Sequence, residues 1–187
     1  MAIILDLEKE ILKEHSKKQL LKITKYIGKD QERFNELIKL LLNGSYIVSQ
    51  RSSWAVSYCT ERYPNLIKPH LRKVIKNLNN PVHDAVKRNT IRMLQYVEIP
   101  NHLLGETADL CFKFLSSRGA PVAVKAFSMT VLCNIAEKEP DLQNELTIAI
   151  EDQMPYATPA FISRGQKILA ILRKRSANMT IRGGEKL

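Results

Sequence analysis

Aromatic residues are scarce, at 6% of the chain with a single tryptophan, and only seven glycines occur in 187 residues. So little glycine excludes collagen-like and glycine-rich low-complexity sequence, while 44% hydrophobic residues exclude a chain too polar to fold. No apolar run approaches the ~18 residues that a membrane-spanning helix requires, so no membrane partner is expected. Met1 to Leu5 is apolar for too few residues to form the core of an export signal, and Asp6, Glu8 and Glu10 follow at once. The three cysteines, Cys59, Cys111 and Cys133, are odd in number and contain no C-x-x-C pair. That excludes a disulfide framework and offers neither zinc nor dithiol spacing, so reduced core thiols in a cytoplasmic protein are expected.

Catalytic patterns are missing in the same way. His15, His70, His83 and His102 show no H-x-x-x-H spacing and no nearby cysteine, which leaves no metal ligand set and no Cys-His dyad. Gly183-Gly184 and Arg164-Gly165-Gln166 do not form a phosphate-binding loop. The acids Glu137, Glu139, Asp141 and Glu145 lack the spacing of a calcium loop and read as a solvated face. No enzymatic activity and no cofactor are expected.

What is present is positive charge and helical periodicity. The chain carries 29 Lys and Arg against 19 Asp and Glu, a formal charge of +10, which suits an acidic protein or a nucleic acid as partner. The excess is local: residues 45–80 sum to +5 and residues 161–187 to +6, whereas residues 121–160 sum to −4. Apolar residues recur at helical spacing throughout, and Asn43-Gly44, Pro64, Asn79-Asn80-Pro81, Pro100, Pro121, Pro140 and Pro155 cut the pattern into helices. No segment alternates at period 2. The fold class is all-α.

Aligning the chain with itself at offsets of 37, 37 and 39 residues brings several columns into register. Leu37, Val74, Cys111 and Ile150 form one apolar column, and Leu41, Leu78, Leu115 and Met154 form another. Val48, Ala85, Val122 and Phe161, then Val56, Met93, Thr130 and Leu169, then Cys59, Tyr96, Cys133 and Leu172, make three more. A basic column, Arg51, Arg88, Lys125 and Arg164, stands three residues after the third of these in every unit. Each unit reads as helix A, turn, helix B: Gln31 to Asn43 with Tyr46 to Arg62, Asn65 to Leu78 with Val82 to Val97, His102 to Ser116 with Val122 to Glu137, and Asp141 to Met154 with Ala160 to Arg173. One such hairpin cannot cover its own apolar face, so hairpins must stack. The boundaries expected are a long N-terminal helix within 1–29, repeats at 30–63, 64–100, 101–140 and 141–176, all in one domain, and a basic mobile tail over 177–187. Asp141, directly after Pro140, is placed to cap its helix.

The second unit carries a family resemblance. His70 to Leu78, the Asn79-Asn80-Pro81 turn, and Ala85-Val86-Lys87-Arg88-Asn89-Thr90-Ile91-Arg92-Met93-Leu94 resemble a HEAT repeat, a family with a leucine-rich A helix, an Asp/Asn-Pro turn and a B helix opening with Val-Arg. The resemblance extends to small bacterial HEAT-like proteins, covers 31–173, and implies a right-handed α-α superhelix of about four hairpins plus the N-terminal helix. It also implies a scaffold that binds a protein or peptide, with the B helices lining the concave surface. On that surface Arg51, Arg88, Lys125 and Arg164, together with Arg92 and the lone Trp54, are the candidate ligand-binding residues. A competing role for the basic column is an inter-repeat ladder, for which Asp84 is a candidate partner. Trp54, in turn, is placed to pack against the N-terminal helix.

A second reading, nucleic-acid binding, follows from a more distant similarity in fold to DNA alkylation-repair proteins built from HEAT-like repeats. Those use aromatic side chains and an Asp in a basic cleft. This chain has Tyr58 beside Trp54 and no second tryptophan, which favours simple binding over base excision. The Gly-Ser-Ser-x-Met-Pro signature of adenylosuccinate lyases is absent.

Overall fold

Asp6, Ser16, Asp30 and Ser45 each accept a hydrogen bond from the backbone N–H three residues on, and these four N-caps start the first four helices. A computed structural model describes residues 5–184 of the backbone, with side chains described through Ala177. The described residues contain helices and no strand, as the periodicity predicts. Contacts gather them into two compact units, Met1–Glu98 and Ile99–Leu187, where the sequence suggests one domain.

In the first unit, α1 (Leu7–Lys13), α2 (Lys17–Ile27), α3 (Gln31–Asn43), α4 (Tyr46–Arg62), α5 (Leu71–Asn77) and α6 (Asp84–Leu94) follow in order, with a 3-10 helix over Pro64–His70 before α5. Helix α4 lies at the centre and packs on α1, α2, α3, α6 and the 3-10 helix. Its buried residues, Val48, Ser52, Ser53, Ala55, Val56, Ser57, Cys59 and Thr60, therefore go nearly all round it and are small, which lets several neighbours approach. Asn89 of α6 donates to Ser53 Oγ at 2.9 Å across this packing, a buried polar tie between the two B helices.

In the second unit, α7 (Asn101–Ser116), α8 (Val122–Lys138), α9 (Leu142–Glu151) and α10 (Pro159–Gly184) repeat the arrangement, with α8 packed on α7, α9 and α10. The column Leu37, Val74, Cys111 and Ile150 is buried to 1% exposure or less in both units. Each such side chain contributes ~1.5–3 kcal/mol of burial.

Several boundaries differ from the sequence reading, each for a local reason. The N-terminal helix is two helices: Glu14 is extended, and the Ser16 hydroxyl restarts the chain by capping α2. The second A helix opens as a 3-10 helix because Pro69 has no N–H to donate. Helix α6 ends at Leu94, two residues before Tyr96, which is 46% exposed rather than in the core. Asp141 has helical φ and ψ and makes no side-chain cap, and α9 ends at Glu151 rather than at Met154. The last helix does not stop near Arg173 but runs to Gly184, so most of the expected tail is helical backbone. Residues 185–187 of that tail lie outside the described residues.

Gly44 ends α3 as the Asn-Gly pair predicts, but with φ −70°. Space rather than a left-handed conformation requires glycine there: a Cβ would stand 2.4 Å from the Leu40 carbonyl oxygen and 2.6 Å from Val48 Cγ1.

Candidate functional site

Four of the six candidate residues belong to the first unit, Arg51 and Trp54 on α4 and Arg88 and Arg92 on α6. The other two, Lys125 on α8 and Arg164 on α10, belong to the second. All six sit on B helices, yet they do not share one environment.

Arg51 Nη1 donates to the carbonyl oxygens of Ile11 (3.1 Å) and Leu12 (3.0 Å), in the last turn of α1. Those carbonyls have no partner within so short a helix, and a cation at a helix C-terminus also opposes the macrodipole. Arg51 therefore holds α1 in place. A second clamp is Glu10 of α1, whose carboxylate accepts from Lys13, from Lys22 (2.7 Å) and from Gln19 (2.7 Å). The bonds from Lys13, Lys22 and Gln19 hold that carboxyl down to about 2. Trp54 packs as the sequence suggests, with its ring 5.4 Å from that of His15 in the link between α1 and α2.

On α6, Arg92 pairs with Glu61 of α4. Arg88 is exposed and has no hydrogen-bonding or ionic partner among the described residues. Asp84, a candidate acceptor for the basic column, pairs instead with Lys87 on its own helix at 3.1 Å.

In the second unit Lys125 Nζ donates to Gln153 Oε1 at 2.8 Å, ahead of its own hairpin, and partial burial lowers its ammonium pKa. Arg164 Nη1 donates to Thr130 Oγ1 of α8 at 2.7 Å. The column is thus regular in sequence and irregular in use: Arg51 and Arg164 reach back to an earlier helix, Lys125 reaches forward, and Arg88 bonds to nothing among the described residues. Acceptors recur at no fixed offset, so the same register position meets different chemistry in each hairpin.

Two ion pairs that link neighbouring B helices were not singled out by the sequence. They are Arg92 with Glu61, 31 residues apart, and Arg175 with Glu137 at 3.0 Å, 38 residues apart. Their separations lie close to the repeat period, the only sequence signal that could have paired them. Arg175 also donates to the Cys133 carbonyl at 2.8 Å.

The three thiols are free and buried. Desolvation pushes Cys59 and Cys111 up to about 12 and raises Cys133, so all three remain neutral thiols at physiological pH. Among the described residues, no group of three or more His, Cys, Asp and Glu could hold a metal ion, and no helix is long and apolar enough to cross a membrane.

Comparison with known proteins gives one match. A family model described as HEAT repeat domain covers residues 7–172. No curated protein and no solved structure matches.

Proposed function

Because the chain belongs to the HEAT repeat domain family, whose stacked hairpins generally serve as interaction scaffolds, we propose that it is a non-enzymatic scaffold holding an acidic protein or peptide segment against its B helices. Packed helices carry their side chains at fixed positions, so a partner meets cations whose ordering cost is already met by the fold. Charge complementarity then selects the partner and speeds its arrival.

The observation that carries this reading is the free charge of α6 and its surroundings. Arg88 stands exposed with no partner among the described residues, although Arg51, Lys125 and Arg164 of the same column are each held by a hydrogen bond. Between residues 62 and 83, moreover, Arg62, Lys68, Arg72, Lys73 and Lys76 are exposed and the sequence contains no acid at all.

Fluorescence anisotropy with a labelled polyglutamate peptide and a labelled single-stranded DNA, titrated with salt, tests the reading. The expected result is peptide binding that survives physiological salt and falls several-fold when Arg88 is replaced by Gln, with little change in Tm. Tight DNA binding with a steep salt slope would replace the acidic-protein reading by the nucleic-acid one. An Arg88→Gln variant that binds as the parent does would remove Arg88 from the binding surface.

A further inference from the structure

One face of α4 bears Arg51, Trp54, Tyr58 and Arg62 at helical spacing, and the first unit covers only half of it. At the upstream end, α1 and the link to α2 close over Arg51 and Trp54. At the downstream end, α2 and α4 leave a cleft of about 400 Å³, lined by Leu21, Thr24, Lys25, Tyr58, Arg62 and Tyr63. That volume falls within the range of roughly 300–1,000 Å³ typical of ligand pockets. Gly28, with φ 52°, ends α2 and also lines the cleft.

The lining has two chemistries. Leu21 is 40% exposed, an apolar side chain without cover. Together with the rings of Tyr58 and Tyr63 and the neutral Cys59 thiol at the base, it makes an apolar, partly aromatic wall. Around that wall stand cations. Lys25 and Arg62 are exposed and have no ionic partner among the described residues, and Lys29 Nζ lies over the Tyr63 ring at 5.7 Å. The nearby acids are engaged elsewhere, Asp30 with Arg33 at 3.3 Å and Glu61 with Arg92. No acid lines the cleft.

We propose that this cleft is the anchor pocket for the acidic segment, taking one bulky apolar side chain, aromatic or leucine-like, while flanking carboxylates meet Arg62 and Lys25. An aromatic group that enters the cleft meets Leu21, Tyr58 and Tyr63, and the cations at the rim stay hydrated until a carboxylate replaces that water. Anchor residues in such pockets carry most of the energy of an interface, whereas rim charges set orientation and rate. The inference rests on the scaffold reading above and adds to it a specificity that net charge alone lacks.

The test uses the full chain and three labelled peptides: polyglutamate, polyglutamate with one central phenylalanine, and the same peptide with alanine at that place. The phenylalanine peptide should bind about tenfold more tightly than the alanine peptide, and Tyr58→Ala should abolish that preference. Arg62→Gln, at an exposed position that leaves the core untouched, should weaken all three several-fold and decides the matter if Tyr58→Ala fails to fold. Equal binding of the phenylalanine and alanine peptides, or binding unaffected by Arg62→Gln, overturns the anchor pocket. If polyglutamate still binds through Arg88 in that case, the scaffold reading stands without it; if none of the peptides binds, both fall. Displacement of the phenylalanine peptide by oligothymidylate at physiological salt also overturns the proposal, since the cleft would then be taking a base and phosphates.

Discussion

Replacing Arg51 by methionine removes a guanidinium from the end of α1 while keeping an apolar stem on α4. Two hydrogen bonds disappear, to the Ile11 and Leu12 carbonyls at 3.1 and 3.0 Å, one part-buried and one exposed. A hydrogen bond to a charged group is worth ~1.5–3 kcal/mol when shielded, and screening at the exposed bond reduces its share, so the expected loss is about 2 kcal/mol in all. For a chain of this size melting in one transition that is a fall in Tm of about 4–8 °C, and more if the first unit melts by itself. Helix α1 has only seven residues, too few to persist without tertiary contacts. Hydrogen exchange should therefore show its amides losing protection before those of α3 or α4. Thermal unfolding followed at 222 nm, with exchange on the same samples, measures both effects. Arg88→Met is the control: an exposed residue with no partner among the described residues should shift stability by no more than about 0.5 kcal/mol. If Arg51→Met and Arg88→Met melt alike and α1 keeps its protection, Arg51 does not hold α1, and it returns to the set of free cations available to a ligand.

Gly44→Ala should cost about 1–3 kcal/mol, since the new Cβ would press on the Leu40 carbonyl and the Val48 side chain and neither can retreat without opening the turn from α3 into α4. A Tm equal to the parent's would mean that the turn yields freely. Glu10 makes stability depend on acidity: its carboxyl titrates near 2 in the folded protein against an ordinary value of 4.5, held down by Lys13, Lys22 and Gln19. The folded pKa lies below the unfolded one, so the contribution is complete above about pH 4.5 and is lost as pH falls towards 2. Tm should fall more steeply across that interval in the parent than in Glu10→Gln, and parallel profiles would show that the Glu10 clamp contributes nothing.

Much of the architecture was legible in the chain because it is written in local pattern. The helix pair Gln31–Asn43 and Tyr46–Arg62 ends where the Asn-Gly pair and Pro64 place it, since glycines and prolines act on their own few residues. The first apolar column held because stacked hairpins bury the same register position each time, as Leu37, Val74, Cys111 and Ile150 show, whereas Tyr96 left the core. Departures arose where a nearby group overrides the pattern, as Ser16 does in the N-terminal helix and Pro69 at the start of the second A helix.

The fate of each member of the basic column was settled by tertiary structure alone. Arg51, Arg88, Lys125 and Arg164 are equivalent by register, but a long flexible side chain bonds to whatever acceptor lies within its reach. Among the described residues those acceptors are the last carbonyls of α1 for Arg51, none for Arg88, the Gln153 amide for Lys125 and the Thr130 hydroxyl for Arg164. The α2 and α4 cleft is of the same kind. Leu21 and Tyr58 lie 37 residues apart and are joined by no motif; only the packing of the two helices brings them to one cleft. Burial repeats along the chain because every hairpin must exclude water in the same way. The partner of a surface charge does not, because it depends on where several helices happen to end.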